Sequence, residues 1–140
     1  MSQYFQAGRT VLWNPATGVA RLFARNVEAV AGAVEVPTGI GPEGNDDYEI
    51  DLVAFTAFVD ALVRRYRTST HRILRALIED VAALGIVMVE RAGGTVEALT
   101  EAASPMDTRD VAVLPSGFGA TGDAARLRAL ADELAPYMPE

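Results

Sequence analysis

Residues 51–92 read DLVAFTAFVDALVRRYRTSTHRILRALIEDVAALGIVMVERA, and their spacing decides the fold class. Leu52, Phe55, Phe58, Val59, Leu62, Val63 and Tyr66 recur at steps of three and four, the repeat of one helix face. Ile73, Leu74, Leu77, Ile78, Val81, Leu84 and Met88 do the same, with Arg72, Arg75, Glu79 and Glu90 opposite. Asp51 is a credible N-cap for the first helix, and Asp60 with Arg64 adds a favourable acid-before-base pair one turn apart. Thr68-Ser69-Thr70 breaks that helix and caps the next, which runs from His71 to about Ala92 and stops at Gly93-Gly94. So short a connection predicts an antiparallel helical hairpin. Beyond Leu84 apolar character spreads nearly all round, which makes the second helix central. Ile86 falls on its otherwise polar face and has to meet another element or another subunit.

Upstream, Asn14-Pro15 reads as an N-cap followed by proline at the first helical position, with a helix to about Ala33. Its stripe is Val19, Leu22, Phe23, Val27, Val30 and Val34. Arg21, Arg25, Glu28 and Glu35 lie on the other face. Asn26 sits within the stripe, either as a core polar group satisfied internally or as a polar handle for a ligand. Residues 35–50 (EVPTGIGPEGNDDYEI) show neither helical nor alternating pattern and read as a long loop, of the kind that is often functional. Downstream, Thr95 caps two turns of helix from Val96 to Ala103. Ser104 to Gly122 reads as loop, interrupted by a short strand at 111–114 whose available partner is Thr10–Trp13. Asp123 then caps a last helix bearing Leu127, Leu130 and Leu134 and ended by Pro136. The expectation is a single domain over residues 1–140, mainly α. Its architecture is a four- to five-helix bundle around the antiparallel hairpin, with at most a two-stranded ribbon.

The 140 residues carry 12 basic against 19 acidic side chains, a formal charge of −7, one histidine and no cysteine. A chain of this length buries roughly 68% of its unfolded surface, enough for a core without disulfide or metal staples. The lone His71 and the missing cysteines remove every multi-His or thiolate zinc pattern. The acidic balance argues against nucleic acid as main partner, because phosphate binding draws on Lys and Arg. All 12 basic residues are arginine and 24 residues are alanine, a bias that follows from GC-rich codons. The N-terminus lacks a basic segment followed by an apolar one, and the longest strongly apolar run, Val81 to Val89, is too short to span a bilayer. The expectation is a cytoplasmic protein with no membrane partner.

Catalytic chemistry is sparse. A Ser/His/acid triad would have to use His71, and Ser69 beside it is more simply a capping residue. Ser116 lies in LPSGFG, outside the nucleophile-elbow pattern. The glycine run 117–122 copies the skeleton of a dinucleotide-binding motif without a βαβ unit to follow it. No cofactor is expected.

Two charge clusters are sharper. Glu43, Asp46, Asp47, Glu49 and Asp51 form an acidic stretch whose spacing fails the EF-hand loop, and no metal site is assigned to it. Arg64, Arg65, Arg67, Arg72 and Arg75 form a basic one. Arg72 and Arg75 open a helix, where its dipole disfavours cations, so they point to an anionic ligand or acidic partner. Helix two, at 1.5 Å per residue, holds the clusters roughly 25 Å apart, too far to neutralise each other within one molecule. Antiparallel pairing of two copies would bring them together, so a homodimer is a further expectation.

Tyr4-Phe5, Gly8, Leu12-Trp13-Asn14-Pro15, Val36-Pro37-Thr38-Gly39, Tyr48-Glu49-Ile50-Asp51, Ser69-Thr70-His71 and Leu74-Arg75-Ala76-Leu77 together resemble a family of small uncharacterised actinobacterial proteins, a domain of unknown function. The resemblance covers about residues 1–94. It implies no activity or catalytic residue.

The leading expectation is a non-enzymatic interaction protein, such as a regulator, adaptor or immunity-type inhibitor. It would act through the acidic loop (Asp46, Asp47, Glu49) and the arginine junction (Arg64, Arg65, Arg72, Arg75). The alternative is a small-molecule-binding protein or cofactor-independent enzyme with an apolar pocket rimmed by Trp13, Asn26, Tyr48, His71 and an arginine clamp. Convergence of Tyr48 or His71 with Asn26 on one cavity would favour the alternative.

Overall fold

The computed structural model describes residues 1–140 and places the first cap where the sequence does. The Asp51 carboxylate accepts from the Ala54 N–H and starts helix α2 (Leu52–Thr68). Helix α3 (Arg72–Arg91) follows after three residues. Its cap is His71, whose Nδ1 accepts from the Leu74 N–H, and not the preceding hydroxyl residues. Ser69 Oγ instead accepts from the His71 N–H, and Thr70 Oγ1 takes the Ala112 N–H from the distant C-terminal segment. Ile86 is fully buried within the single chain, so another element of the same molecule covers it.

The mainly α expectation is overturned, because the protein is α+β. Strands β1 (Tyr4–Ala7), β2 (Thr10–Trp13), β3 (Ile40–Glu43) and β4 (Asp47–Ile50) form a four-stranded mixed sheet in the order β2-β1-β4-β3. β1 pairs antiparallel with β2 and parallel with β4, and β3 closes a hairpin onto β4. The stretch 35–50 is therefore largely sheet. Each strand has four residues, so alternation repeats at most twice and leaves no period to read. Gly41 and Pro42 further disguise β3, where proline is tolerated because β3 is an edge strand.

Helix α1 (Thr17–Ala31) begins three residues beyond Asn14, without a side-chain cap. Asn14 lies in the connection, with its N–H donating to Pro139 O. Phe23 and Val27 of the expected stripe are buried together with Ala20, whereas Val19 and Leu22 face solvent. The expected helix over 96–103 shortens to a 3-10 turn, Glu97–Leu99. The expected ribbon between Thr10–Trp13 and 111–114 does not form. β5 (Val113–Leu114) pairs with β6 (Gly117–Phe118) in a separate hairpin. Asp123 caps α4 (Ala124–Leu134) through the Ala125 N–H, and Pro136 falls in a closing 3-10 turn. No helix is long and apolar enough to cross a membrane.

One core joins these elements. Phe5 stacks on Trp13 at 5.6 Å and on Tyr48 at 4.7 Å, and meets the edge of Phe23 at 5.3 Å. These four aromatics fasten β2, β1 and β4 to α1. Helices α2 and α3 pack tightly at Gly85, where a Cβ would lie 2.7 Å from Val59 Cγ2. Gly39 is equally constrained, with φ +74° and no room for a Cβ against the Phe55 N–H.

Gly85→Ala is expected to destabilise the fold by about 1–3 kcal/mol through overpacking, against a gain in helix propensity. Val59→Ala relieves the same clash, so denaturant melts of both single variants and the double variant should give a double loss smaller than the sum, by about 1 kcal/mol or more.

Candidate functional site

The five arginines clustered in sequence have separate tasks in space. Arg64 pairs with Glu101. Arg65, buried, reaches Asp107 and Asp110, each at 2.7 Å. Arg67 donates to the carbonyls of Ala98 and Glu101, while Asp60 accepts the Ala98 N–H. Four side chains of α2 thus hold the segment from Glu97 to Asp110, which has few apolar anchors of its own. Asp107 is held well below the usual carboxylate range, first by the side chain of Arg109, with its backbone N–H and Arg65 adding to this against the opposing effect of burial.

Arg72 and Arg75 face the other way. With Tyr66, Glu79 and Arg126 they line a cleft of about 300 Å³ at the start of α3. Arg75 Nη1 donates to the carbonyls of Ser69 and Ala120, both at 2.8 Å, which answers its charge at a helix start. Arg126 pairs with Glu79, whose Oε1 also accepts from the Tyr66 hydroxyl at 2.8 Å. Arg72 is exposed and makes no ion pair. Three guanidinium groups therefore share one cleft with a single carboxylate, beside the positive end of α3. Arg126 and Glu79 give no sign of this from sequence, because α4 is brought to α3 only by the packing of Leu127 and Ala131 into the core.

The acidic stretch is largely engaged by its own sheet. Glu43 binds Arg21, Gln3 Nε2 and the Tyr48 hydroxyl. Asp47 accepts from Gln6 Nε2, Glu49 from the Gly8 N–H, and Asp51 caps α2. The side chain of Asp46 is exposed. Of the acidic stretch only Glu43 pairs with a cation, Arg21, and of the basic one only Arg64 and Arg65 pair with carboxylates, those of Glu101, Asp107 and Asp110. No group of His, Asp and Glu is arranged to hold a metal ion.

The residues offered for an apolar pocket do not converge. Trp13 is buried in the aromatic cluster, with its indole N–H meeting no protein acceptor. His71 is the α3 cap. Tyr48 borders a largely polar cleft of about 500 Å³ with Arg21, Arg25, Glu28 and Glu43. Asn26 is exposed at a different, apolar groove of about 350 Å³ between α1 and α3.

The perturbed groups share one tendency. Glu43 is lowered to about 2, first by its hydrogen bond from Arg21 and next by that from Gln3. Glu79 is lowered, first by Arg126. Tyr48 and Tyr66 are raised, first by burial. The two carboxylates are thereby held ionised and the two phenols neutral.

Comparison with known proteins places the chain in a family. It belongs to a family of unknown function (DUF6086), whose model matches residues 1–140, beyond the first 94 or so that the sequence resemblance covered. No curated protein and no solved structure matches the chain.

Arg65→Ala should release the segment around Asp107 and Asp110. Hydrogen exchange should accelerate over 104–112, at a cost to global stability of about 2 kcal/mol for the lost charged hydrogen bonds. The Glu43 carboxylate contributes stability that is fully present above its ordinary pKa near 4.5 and is lost as pH falls toward about 2. Acid-unfolding profiles of the wild type and Glu43→Gln should therefore differ above pH 4.5 and converge below that range.

Proposed function

We propose that this member of the family is a non-enzymatic interaction protein, and that the cleft of Arg72, Arg75 and Arg126 receives carboxylate side chains of an acidic protein partner. The observation that carries the reading is three guanidinium groups around one carboxylate in a cleft of about 300 Å³. Arg72 has no internal counter-charge and sits where the α3 dipole repels it, so an incoming anion relieves an unfavourable arrangement. Arginine forks pair with carboxylates bidentately, which gives such a contact direction as well as charge. The acidic stretch plays a structural part in this proposal, since most of its carboxylates already bind the protein's own donors. The lysine-free, alanine-rich composition supports a GC-rich genome of origin, and with the family resemblance an actinobacterial one.

A glutamate-rich decapeptide titrated into labelled protein should shift the Nε–Hε signals of Arg72 and Arg126, and binding should weaken steeply with salt. Arg72→Glu combined with Arg126→Glu should abolish the shifts, and Asp46→Asn should leave them unchanged. Shifts that appear elsewhere, or that survive the double reversal, would sink the assignment.

A further inference from the structure

Two surfaces of this molecule are apolar, uncharged and uncovered. The first is the β5–β6 hairpin, where Val113, Leu114 and Phe118 are 72%, 53% and 64% exposed. Only two residue pairs hold it, Val113 with Phe118 and Leu114 with Gly117. A two-stranded ribbon of that size is marginal alone and is ordinarily stabilised by packing its apolar face. Its base is nevertheless tied down. Ala112 N–H donates to Thr70 Oγ1, Gly119 N–H to Ala112 O, and Arg75 to Ala120 O. The hairpin is thus a prong rooted at the start of α3.

The second surface is the groove between α1 and α3. Ala29 and Ala33 contribute small side chains and Leu74 and Leu77 large ones, and it encloses about 350 Å³. Leu77, Ile73 and Leu22, on the same two helices, are 69%, 63% and 59% exposed. The groove begins one helical turn from Thr70, where the hairpin is rooted. Residues 111–120 carry no charge, and neither does any side chain lining the groove, although 22% of the chain is charged. Bringing the two together removes apolar surface from water without desolvating an ion.

We propose that the occupant of the groove is the β5–β6 hairpin of a second copy, inserted reciprocally about a two-fold axis near the start of α3. A protein partner taking the hairpin alone would leave the groove open, and a ligand filling the groove alone would leave the hairpin open. Self-pairing covers both. Because prong and groove are neighbours on one molecule, a two-fold rotation between them makes a closed, isologous contact, not an open fibre. Complete burial of the three hairpin residues together with Ile73, Leu77 and Leu22 would remove on the order of 700 Å² per copy, or about 1,400 Å² per dimer. Stable interfaces bury roughly 1,200–2,000 Å². The apolar side chains of hairpin and groove are not those of the arginine cleft, although Arg75 lines that cleft and also anchors the hairpin base.

Sedimentation equilibrium of the wild type at tens of micromolar should show a dimer whose affinity changes little with salt, unlike acidic-peptide binding. Phe118→Asp and Leu77→Asp each place a charge on a surface exposed in the single chain. Both should keep the circular dichroism of the wild type and dimerise more weakly by at least about tenfold, as for a central interface residue. An equimolar mixture of the two should associate more tightly than either alone, because the mixed dimer keeps one intact hairpin-in-groove contact. The cysteine-free background permits a direct check. The double variant Ser116→Cys, Ala33→Cys should oxidise to a dimer linked between chains. A wild type that stays monomeric to about 100 μM, a mixture no tighter than its components, or a disulfide closed within one chain would each overturn the proposal.

Discussion

The stack of Trp13, Phe5 and Tyr48 is the contact on which the rest of this architecture depends. Phe5 stands opposite Trp13 on one neighbouring strand and opposite Tyr48 on the other, so one ring sets the register of β1 against both. Phe23 of α1 closes the cluster edge-on to Phe5 and Trp13. Each aromatic pair contributes about 0.5–1.5 kcal/mol beyond its buried area, and strands of four residues have little else to define their pairing. A slip of β1 by one residue would turn Phe5 to the outer face, away from both of its stacking partners. Because β1 and β4 run parallel, the chain must cross over between them, and α1 is the element that does so. The same cluster thereby positions α1 over the sheet and leaves its far side to meet α3.

Charge is organised around that frame. Asp60, Arg64, Arg65 and Arg67 tie the segment from Glu97 to Asp110 to α2, and Glu43, Asp47 and Glu49 tie the sheet to itself. Most surface pairs of this kind contribute less than about 1 kcal/mol each. Arg65 differs because it is buried and satisfies two carboxylates at once. What the internal pairing leaves is informative: Arg72 outside any ion pair beside Arg75 and Arg126, and a charge-free hairpin and groove with no cover. The arginine cleft and the apolar hairpin and groove lie close together at the start of α3 and are lined by different side chains.

The helices were legible because their information is local. Asp51 and Asp123 cap where they stand, and seven apolar residues at helical spacing suffice to place α2 and α3. The same pattern misleads about which face is buried: Leu22, Ile73 and Leu77 continue the apolar stripes but remain exposed, since no element of the chain packs over them. The sheet was not legible. A strand such as Asp47–Ile50 directs only Tyr48 and Ile50 inward, and its partner Tyr4–Ala7 lies some forty residues away. The candidate site was half visible. Arg72 and Arg75 announced themselves by violating dipole preference, but Arg64 and Arg65, adjacent in sequence, proved to be fastenings of a distant segment.

By itself, then, the amino-acid sequence determined where the long helices start and stop, that α3 is central, and that no thiol or multi-histidine chemistry is available. Helix signals repeat every three or four residues within one segment, and an absent residue type needs no fold to be read. Only the tertiary structure decided that four short segments flanking α1 build a sheet, that most of the charges serve the fold, and that Arg126 completes a cleft begun by Arg72 and Arg75. The pairing of β1 with β4 and the ion pairs of Arg65 and Arg126 join residues forty or more apart, and packing alone decides which of them meet.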